Sequence, residues 1–534
     1  MKARPFLIGF SLVVLIFLII FYGIKRQSSL RSPTNIKADF LEIPKAAKYL
    51  PKEAPLTIHL NVDPIQFPSY IEAASTQKNS IKANHKATQL RDGLFALAGL
   101  DFDNDLSEWI EPRLSLSILE TSTEKVDWIL ALESKSDFNL NDFIENYWRK
   151  KSLNETIVNN ENYNNITINS GYKQPLGENI TQLATALVED NLILISPNID
   201  VIKNSIDTSI KSVDSQFDDD YLRRQIENLD EGIGMVYASK KGIDEWLGIP
   251  LEITSTINYD KLIASFKIDK SDLLIDSIFL LNEKVLPPFE NEYQDWKYLI
   301  NKTKGEVKDI AVINDPFKLI NEDNEDPLSK LIGPIFRNYI DKNNNQALRL
   351  IADSRKGPFV WLNKENGWVV GTNDAAKESE VNETLLEENY TRTSLSLGSQ
   401  DIEVWSKMLI NNFDTYNKLK TEIPIILYKG NESNWWSKEA NALQERSEGE
   451  EILLSPQIKR FQELVIKNNY VFHQIFLGSN TAQNELKAWK PWVLFQAFIG
   501  HSLQSNLKGV GIAILIPDDN HPQRIHIQGM LAMG

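Results

Sequence analysis

Thr185 to Ile206 reads TALVEDNLILISPNIDVIKNSI. Two apolar runs flank Glu189-Asp190-Asn191, a turn signal, so the first half of this stretch predicts a hairpin. Ser196 or Asn198 then supplies a helix cap, and Pro197 suits an early helical position. The same grammar returns in Val360 to Val381, VWLNKENGWVVGTNDAAKESEV. There Asn366-Gly367 is a strong hairpin signal and Thr372 or Asn373 is the cap. A looser copy runs through Asp127-Trp128-Ile129-Leu130-Ala131-Leu132, then Ser134-Lys135-Ser136-Asp137, then a helix through Phe143 and Trp148. Recurring hairpin-plus-helix units predict an α+β fold, with antiparallel sheets and helices packed on them.

Outward from these segments, a second shared element is a strand that ends in Asp-Pro. Ile58 to Phe67 ends at Asp63-Pro64, and Ile310 to Leu319 ends at Asp315-Pro316. These marks suggest two related units, 55–230 and 305–395, joined by a connecting α+β segment, 231–304. Residues 396–534 form a C-terminal helix and hairpin unit: a helix from Asp401, a helix around Trp489 to Leu503, and a hairpin of Gly511–Ile516 with Arg524–Leu531. Residues 25–54 are polar, carry Pro33, Pro44 and Pro51, and predict a juxtamembrane stalk with a short helix near Ala46-Ala47. The body is expected to begin at the strand-like Pro55-Leu56-Thr57-Ile58-His59-Leu60.

Residues 1–24 predict a transmembrane signal anchor. From Phe6 to Ile24 the chain reads FLIGFSLVVLIFLIIFYGI, without a charge. As a helix it would rise about 28 Å, close to the hydrocarbon thickness of a bilayer. Phe21-Tyr22-Gly23-Ile24-Lys25-Arg26 is bulky and basic where a signal peptidase would need small residues, so the segment is expected to stay. Lys2 and Arg4 on one side nearly balance Lys25, Arg26 and Arg31 on the other. We expect a single-pass protein of the plasma or thylakoid membrane with most of the chain extracytoplasmic, in the periplasm or lumen.

The chain has 534 residues, with 57 basic and 73 acidic side chains and a net charge of −16. That charge is repelled by phosphate backbones, so nucleic acid is not expected as a partner. There is no cysteine, which rules out disulfides, thiolate metal sites and cysteine nucleophiles.

Phe95-Ala96-Leu97-Ala98-Gly99-Leu100-Asp101, Leu106-Ser107-Glu108-Trp109-Ile110, Leu114-Ser115-Leu116-Ser117-Ile118-Leu119, Trp128-Ile129-Leu130-Ala131-Leu132 and Leu183-Ala184-Thr185-Ala186-Leu187 follow one another along the chain. Together they resemble a cyanobacterial family, domain of unknown function 3352. The resemblance implies a membrane-anchored protein of a photosynthetic bacterium. Its motifs are apolar strand and helix patterns and bring no catalytic residues with them.

The chemistry-bearing residues form no recognised constellation. The six histidines, His59, His85, His473, His501, His521 and His526, make no HExxH or His-x-His pair. His521 and His526 lie five apart across a turn, with His526 on the polar side of a strand. Asp101-Phe102-Asp103-Asn104-Asp105 opens like a calcium loop, but Leu106 and Pro112 stand where glycine and glutamate are required. Asp341-Lys342-Asn343-Asn344-Asn345 fails in the same way. Ser-x-x-Lys occurs at Ser75–Lys78, Ser122–Lys125, Ser170–Lys173 and Ser505–Lys508, without the companion elements of penicillin-binding enzymes. No Walker or G-x-G-x-x-G loop occurs. The pairs Trp435-Trp436 and Trp489/Trp492 could stack on a sugar or pigment, although core packing is the commoner use of tryptophan.

No catalytic, cofactor-binding or metal residue is therefore nominated, and no cofactor is expected. The sequence favours a non-catalytic binding or assembly protein of the envelope or thylakoid, with the membrane and envelope proteins as partners. The alternatives are an envelope hydrolase of unfamiliar type or a lipid- or pigment-binding protein.

Overall fold

The structure is a computed structural model. It describes residues 41–533 with interruptions, the longer ones at 69–79, 174–180, 248–256, 286–298, 300–306, 318–325, 448–455 and 488–506. The apolar Phe6–Ile24 stretch, the first part of the stalk, and Trp489 and Trp492 lie outside the described residues.

The N-terminal half runs through ten strands: β1 (Leu56–Leu60), β2 (Ile110–Glu120), β3 (Val126–Ser134), β4 (Ile157–Tyr163), β5 (Ile166–Lys173), β6 (Thr181–Val188), β7 (Leu192–Ser196), β8 (Gly234–Ser239), β9 (Tyr259–Asp269) and β10 (Asp272–Leu281). The C-terminal half supplies ten more: β11 (Val307–Ile313), β12 (Phe359–Lys364), β13 (Gly367–Asn373), β14 (Thr391–Leu397), β15 (Gln400–Asn411), β16 (Lys418–Lys429), β17 (Ser433–Ser437), β18 (Tyr470–Leu477), β19 (Leu507–Leu515) and β20 (Arg524–Met533).

Hydrogen-bonded neighbours give the N-terminal order 4-5-6-7-3-2-1-8-9-10. The C-terminal half repeats that order as 14-15-16-17-13-12-11-18-19-20. β10 then pairs with β20, from Leu273↔Leu531 to Leu280↔Arg524, and welds the two into one antiparallel sheet of 20 strands. The outer strands are β4 and β14, which share one pattern of exposure along their seven residues.

This overturns the expected architecture of repeated hairpin-plus-helix units in separate sheets, and the helix expected to precede them falls on residues that the structure does not describe. An isolated unit would leave open strand edges, and continuous pairing removes every edge except the two outermost. No helix among the described residues is long and apolar enough to cross a membrane. The helix expected from Asp401 is instead strand β15. Ile402 and Val404 are buried at alternate positions, a period of two that a helix cannot use.

The helices follow the repeat. In the N-terminal half they are α1 (Ser80–Leu97), α2 (Leu140–Leu153), α3 (Ile199–Lys211), α4 (Asp220–Glu227) and α5 (Lys240–Glu245). In the C-terminal half they are α6 (Pro327–Lys342), α7 (Gln346–Asp353), α8 (Glu378–Glu387), α9 (Ala440–Ser447), α10 (Pro456–Leu464) and α11 (Ser479–Leu486). Asn139 caps α2 through Asn141 N and Asp142 N, and Asn198 caps α3 through Asp200 N. Between β7 and α3, the Ser196 hydroxyl accepts from Asn198 N at 3.2 Å. Between β17 and α9, the Ser437 hydroxyl accepts from Glu439 N at 3.0 Å.

One face of the sheet, under α1, α2, α6 and α8, buries a single core that runs through both halves and includes Phe95, Ile144, Ile332 and Val381. The opposite face is divided. α3 covers one cluster and α4 a second in the N-terminal half, and α9 and α10 cover a third in the C-terminal half.

Candidate functional site: a charged cleft above a buried polar row

Leucine or isoleucine occupies every other position of β1, and these residues, Leu56, Ile58 and Leu60, enter the shared core. The positions between them are Thr57 and His59, which point to the divided face. In β2 the alternating Ser115 and Ser117 do the same. Antiparallel register sets His59 opposite Ser115 and Thr57 opposite Ser117, so two ordinary alternations build one polar row.

The row is hydrogen-bonded throughout. His59 Nδ1 lies 2.7 Å from Ser115 Oγ, and Thr57 Oγ1 lies 2.7 Å from Ser117 Oγ. Gln216 joins the two pairs. Its amide nitrogen donates to Thr57 Oγ1 at 2.7 Å and to Pro51 O at 3.3 Å, and its carbonyl oxygen lies 3.3 Å from His59 Nε2. That wiring places the imidazole proton on Nε2 and leaves Nδ1 to accept from the Ser115 hydroxyl. All five side chains are buried. Burial drives the His59 pKa down to about 4, against the raising effect of the Gln216 contact, so the ring is neutral at pH 7. Phe217 closes the row from above, with its ring 5.9 Å from that of His59.

Above the row lies a cleft of about 1040 Å³. Its walls are the 51–54 segment, the C-terminal part of α3, the 214–219 loop, α5 and the start of β9. The loop is tied down from both sides. Lys52 N donates to Asp214 O at 2.8 Å, Gln216 N donates to Leu50 O at 2.8 Å, and Pro51 bridges Ser215. Ser212 and Phe217 both hold positive φ, 45° and 59°. Such backbone costs about 1–2 kcal/mol at a residue with a side chain, and it persists where the surroundings hold it. Here the polar row is part of that hold, because Gln216 sits between Ser215 and Phe217, and both of those line the cleft.

Carboxylates outnumber lysines among the lining residues, nine to five. Tyr237, beneath the cleft, has its phenol pKa raised by burial first and then by the negative charges of Asp260 and Glu53. Lys241 pairs with Glu120, and Lys261 pairs with Asp260 at 2.8 Å.

The C-terminal half shows what the fold itself requires at these positions. Asn61 N donates to Ile233 O and Asn314 N to Val471 O, which matches β1 to β11. The ladders then set Ile310 opposite Leu362 where the N-terminal half has Thr57 opposite Ser117. They set Val312 opposite Val360 where it has His59 opposite Ser115. All four C-terminal residues are buried aliphatics.

The residues singled out in the sequence are scattered. His85 is exposed on α1. His473 is buried on β18, with its pKa lowered by burial to about 3. His526 contacts Asp276 across the β10–β20 pair. His501 is outside the described residues, as are Ser75–Lys78 and Ser122–Lys125. Ser170 and Lys173 are three apart on β5 and so face opposite sides of the sheet.

In the Asp101–Asp105 turn the carboxylates serve local partners: Asp101 accepts from Asn104 N, Asp103 pairs with Arg91, and Asp105 pairs with Lys150. No group of three or more metal-ligating side chains occurs among the described residues. Trp435 and Trp436 are fully buried on opposite faces of β17, and Trp436 stacks on Trp405. The polar row was visible in the sequence as Thr57-x-His59 and Ser115-x-Ser117. What was not visible is that the two face one another.

The family model for protein of unknown function DUF3352 matches residues 6–322. A search of curated proteins finds no match. Two crystal structures of TP0453 are similar at 8% identity. Form III covers 49% of this chain and 87% of its own, with a TM-score of 0.25. Form I covers 50% and 84%, with a TM-score of 0.26.

Proposed function

We propose, for a chain that belongs to the DUF3352 family of proteins of unknown function, a non-catalytic binding protein whose site is the charged cleft of its N-terminal half. One observation carries this reading. Thr57, His59, Ser115 and Ser117 are polar where the repeated fold is content with Ile310, Val312, Val360 and Leu362. Buried polar groups are harder to accommodate than aliphatics and must all be bonded. Their presence on the cleft side alone is accounted for if they hold the 214–219 wall in a shape that binding needs.

The Ser115–His59 pair could be read as a hydrolase dyad. Phe217 covers it and both side chains are buried, so it supports the wall and does not meet a substrate. The chain acts at a membrane to which the uncharged Phe6–Ile24 stretch tethers it, with the body extracytoplasmic, in a photosynthetic bacterium. This part of the reading rests on the sequence and the family resemblance.

The test is capture from gently solubilised membranes with the full chain. A ligand or protein partner should be retained by the native chain and lost when all four row residues are exchanged for Ile, Val, Val and Leu while the protein still melts cooperatively. Equal retention by both chains would remove the cleft as the site. A serine-hydrolase probe that labelled Ser115 would remove the non-catalytic reading. A C-terminal reporter active only in the cytoplasm would remove the export.

A further inference from the structure

The ligand class of the cleft can be argued further, on the premise that the cleft is a binding site. Its wall carries an excess of carboxylates, and four of its five lysines are already engaged. Lys52 lies 3.6 Å from Asp214, Lys241 pairs with Glu120 and Lys261 with Asp260. Lys240 sits 4.1 Å from the centroid of the Tyr259 ring. With these cations matched, the surplus charge facing the opening is negative, and Glu53 and Glu245 flank it from two separate segments of chain.

A second observation is independent of charge. Ser239 is 6% exposed, lines the cleft, and its hydroxyl has no hydrogen-bond partner. It ends β8 on the same side as Met235 and Tyr237, opposite the core-facing Val236 and Ala238, so alternation turns it toward the cleft. An unmatched hydroxyl at this depth is unfavourable unless something fills its place. A hydroxyl oxygen accepts readily from an ammonium N–H.

We propose that the cleft binds a ligand carrying two or more protonated amines, held by Glu53 and Glu245 at the opening and by the Ser239 hydroxyl at the floor. The net charge of −16 draws such a ligand toward the protein from a distance. Free polyamines and lysine-rich peptide segments share this chemistry, and the experiment separates them.

Spermine and tetralysine are titrated calorimetrically into the full chain in detergent, alongside inorganic phosphate. At least one polycation should bind, and raising the salt should weaken it. The E53Q/E245Q double variant should lose about tenfold in affinity, and S239A about threefold, whereas E387Q on α8 should change nothing. Whichever polycation binds more tightly identifies the source. Failure of both to bind, or binding indifferent to E53Q/E245Q and to S239A, overturns the proposal. Phosphate binding in place of the polycations also overturns it but leaves the binding site standing, because that reading is judged by the four-residue exchange. Thermal melts of each variant confirm that the loss is not unfolding.

Discussion

The two halves of this chain draw the same strand order with different interiors. In the N-terminal half the row beneath the divided face is Thr57, His59, Ser115, Ser117 and Gln216, and a cleft opens above it. In the C-terminal half the matching rows are aliphatic, and tryptophans fill the neighbouring strands. Ile195 of β7 corresponds to Trp436 of β17, and Leu194 to Trp435. Ala131, opposite Leu194, becomes Gly371, where an added Cβ would stand 2.9 Å from the Trp435 ring. The larger indole is admitted by the smaller neighbour. The difference teaches that strand order fixes neither polarity nor volume inside this sheet. One half was free to keep a polar interior, and the other became mainly core.

The largest expected effect would show whether the halves are one cooperative unit. Trp436→Ala should cost about 4 kcal/mol and its counterpart Ile195→Ala about 3 kcal/mol in chemical denaturation. The continuous core predicts a single transition for both variants. Two transitions, each moved by only one substitution, would break the sheet into independent halves.

Acid comes next. The folded-state pKa values of His59 and His473, about 4 and about 3, lie below that of a free imidazole. The unfolded chain therefore takes up protons first as pH falls. Stability from each ring is complete above about pH 6.5 and is lost on the way down, ending near pH 4 for His59 and near pH 3 for His473. The slope is up to about 1.4 kcal/mol per pH unit for each ring. His59→Val and His473→Met install the residue that the other half carries at the matching position. Each should flatten the acid limb of a stability–pH curve by one proton, and an unchanged limb in either variant would refute the burial argument for that ring.

Breaking the polar row should have a smaller effect. Ser115→Val alone should cost about 2 kcal/mol, because His59 Nδ1 loses its donor. The four-residue exchange should cost much less than the sum of its single steps. Strict additivity would mean that the row is not a network.

The smallest expected effects come at the strand-to-helix turns. Ser196→Ala and Ser437→Ala each remove a hydroxyl that accepts an amide there, and Ser437 also donates to Trp368 O at 2.7 Å. Ser196→Ala should cost about 1 kcal/mol, and Ser437→Ala should cost more because it leaves a buried carbonyl without its donor. Equal losses in chemical denaturation would show that the Trp368 bond adds nothing.

Much of the local structure was legible. The Glu189-Asp190-Asn191 and Asn366-Gly367 turns fall between paired strands, and Glu189 takes the positive φ that a tight turn needs. Asn198 caps its helix. The longer-range correspondence was harder to read. The match between Thr185–Ile206 and Val360–Val381 joins segments at different places in the repeated order. Val360–Val381 corresponds instead to the β2–β3–α2 segment, with Trp128 and Trp368 in the same register. Exchange of Ile195 for Trp436 and of Thr57 for Ile310 removes the similarity that a sequence comparison needs while leaving the backbone pattern in place. The cleft was not legible, because its walls come from segments up to about 200 residues apart and most of its residues are ordinary surface Asp, Glu and Lys.

The sequence by itself determined the elements. Alternation set the strands, turn residues set most hairpins, and Asn and Ser set the helix starts, because each of these depends on neighbours a few residues away. The tertiary structure alone decided that β10 pairs with β20, that His59 faces Ser115, and that Gln216 reaches Thr57 from 159 residues away. Those choices depend on which edges and faces meet, and strand patterns of one kind can pair in many orders until burial of the whole sheet selects one.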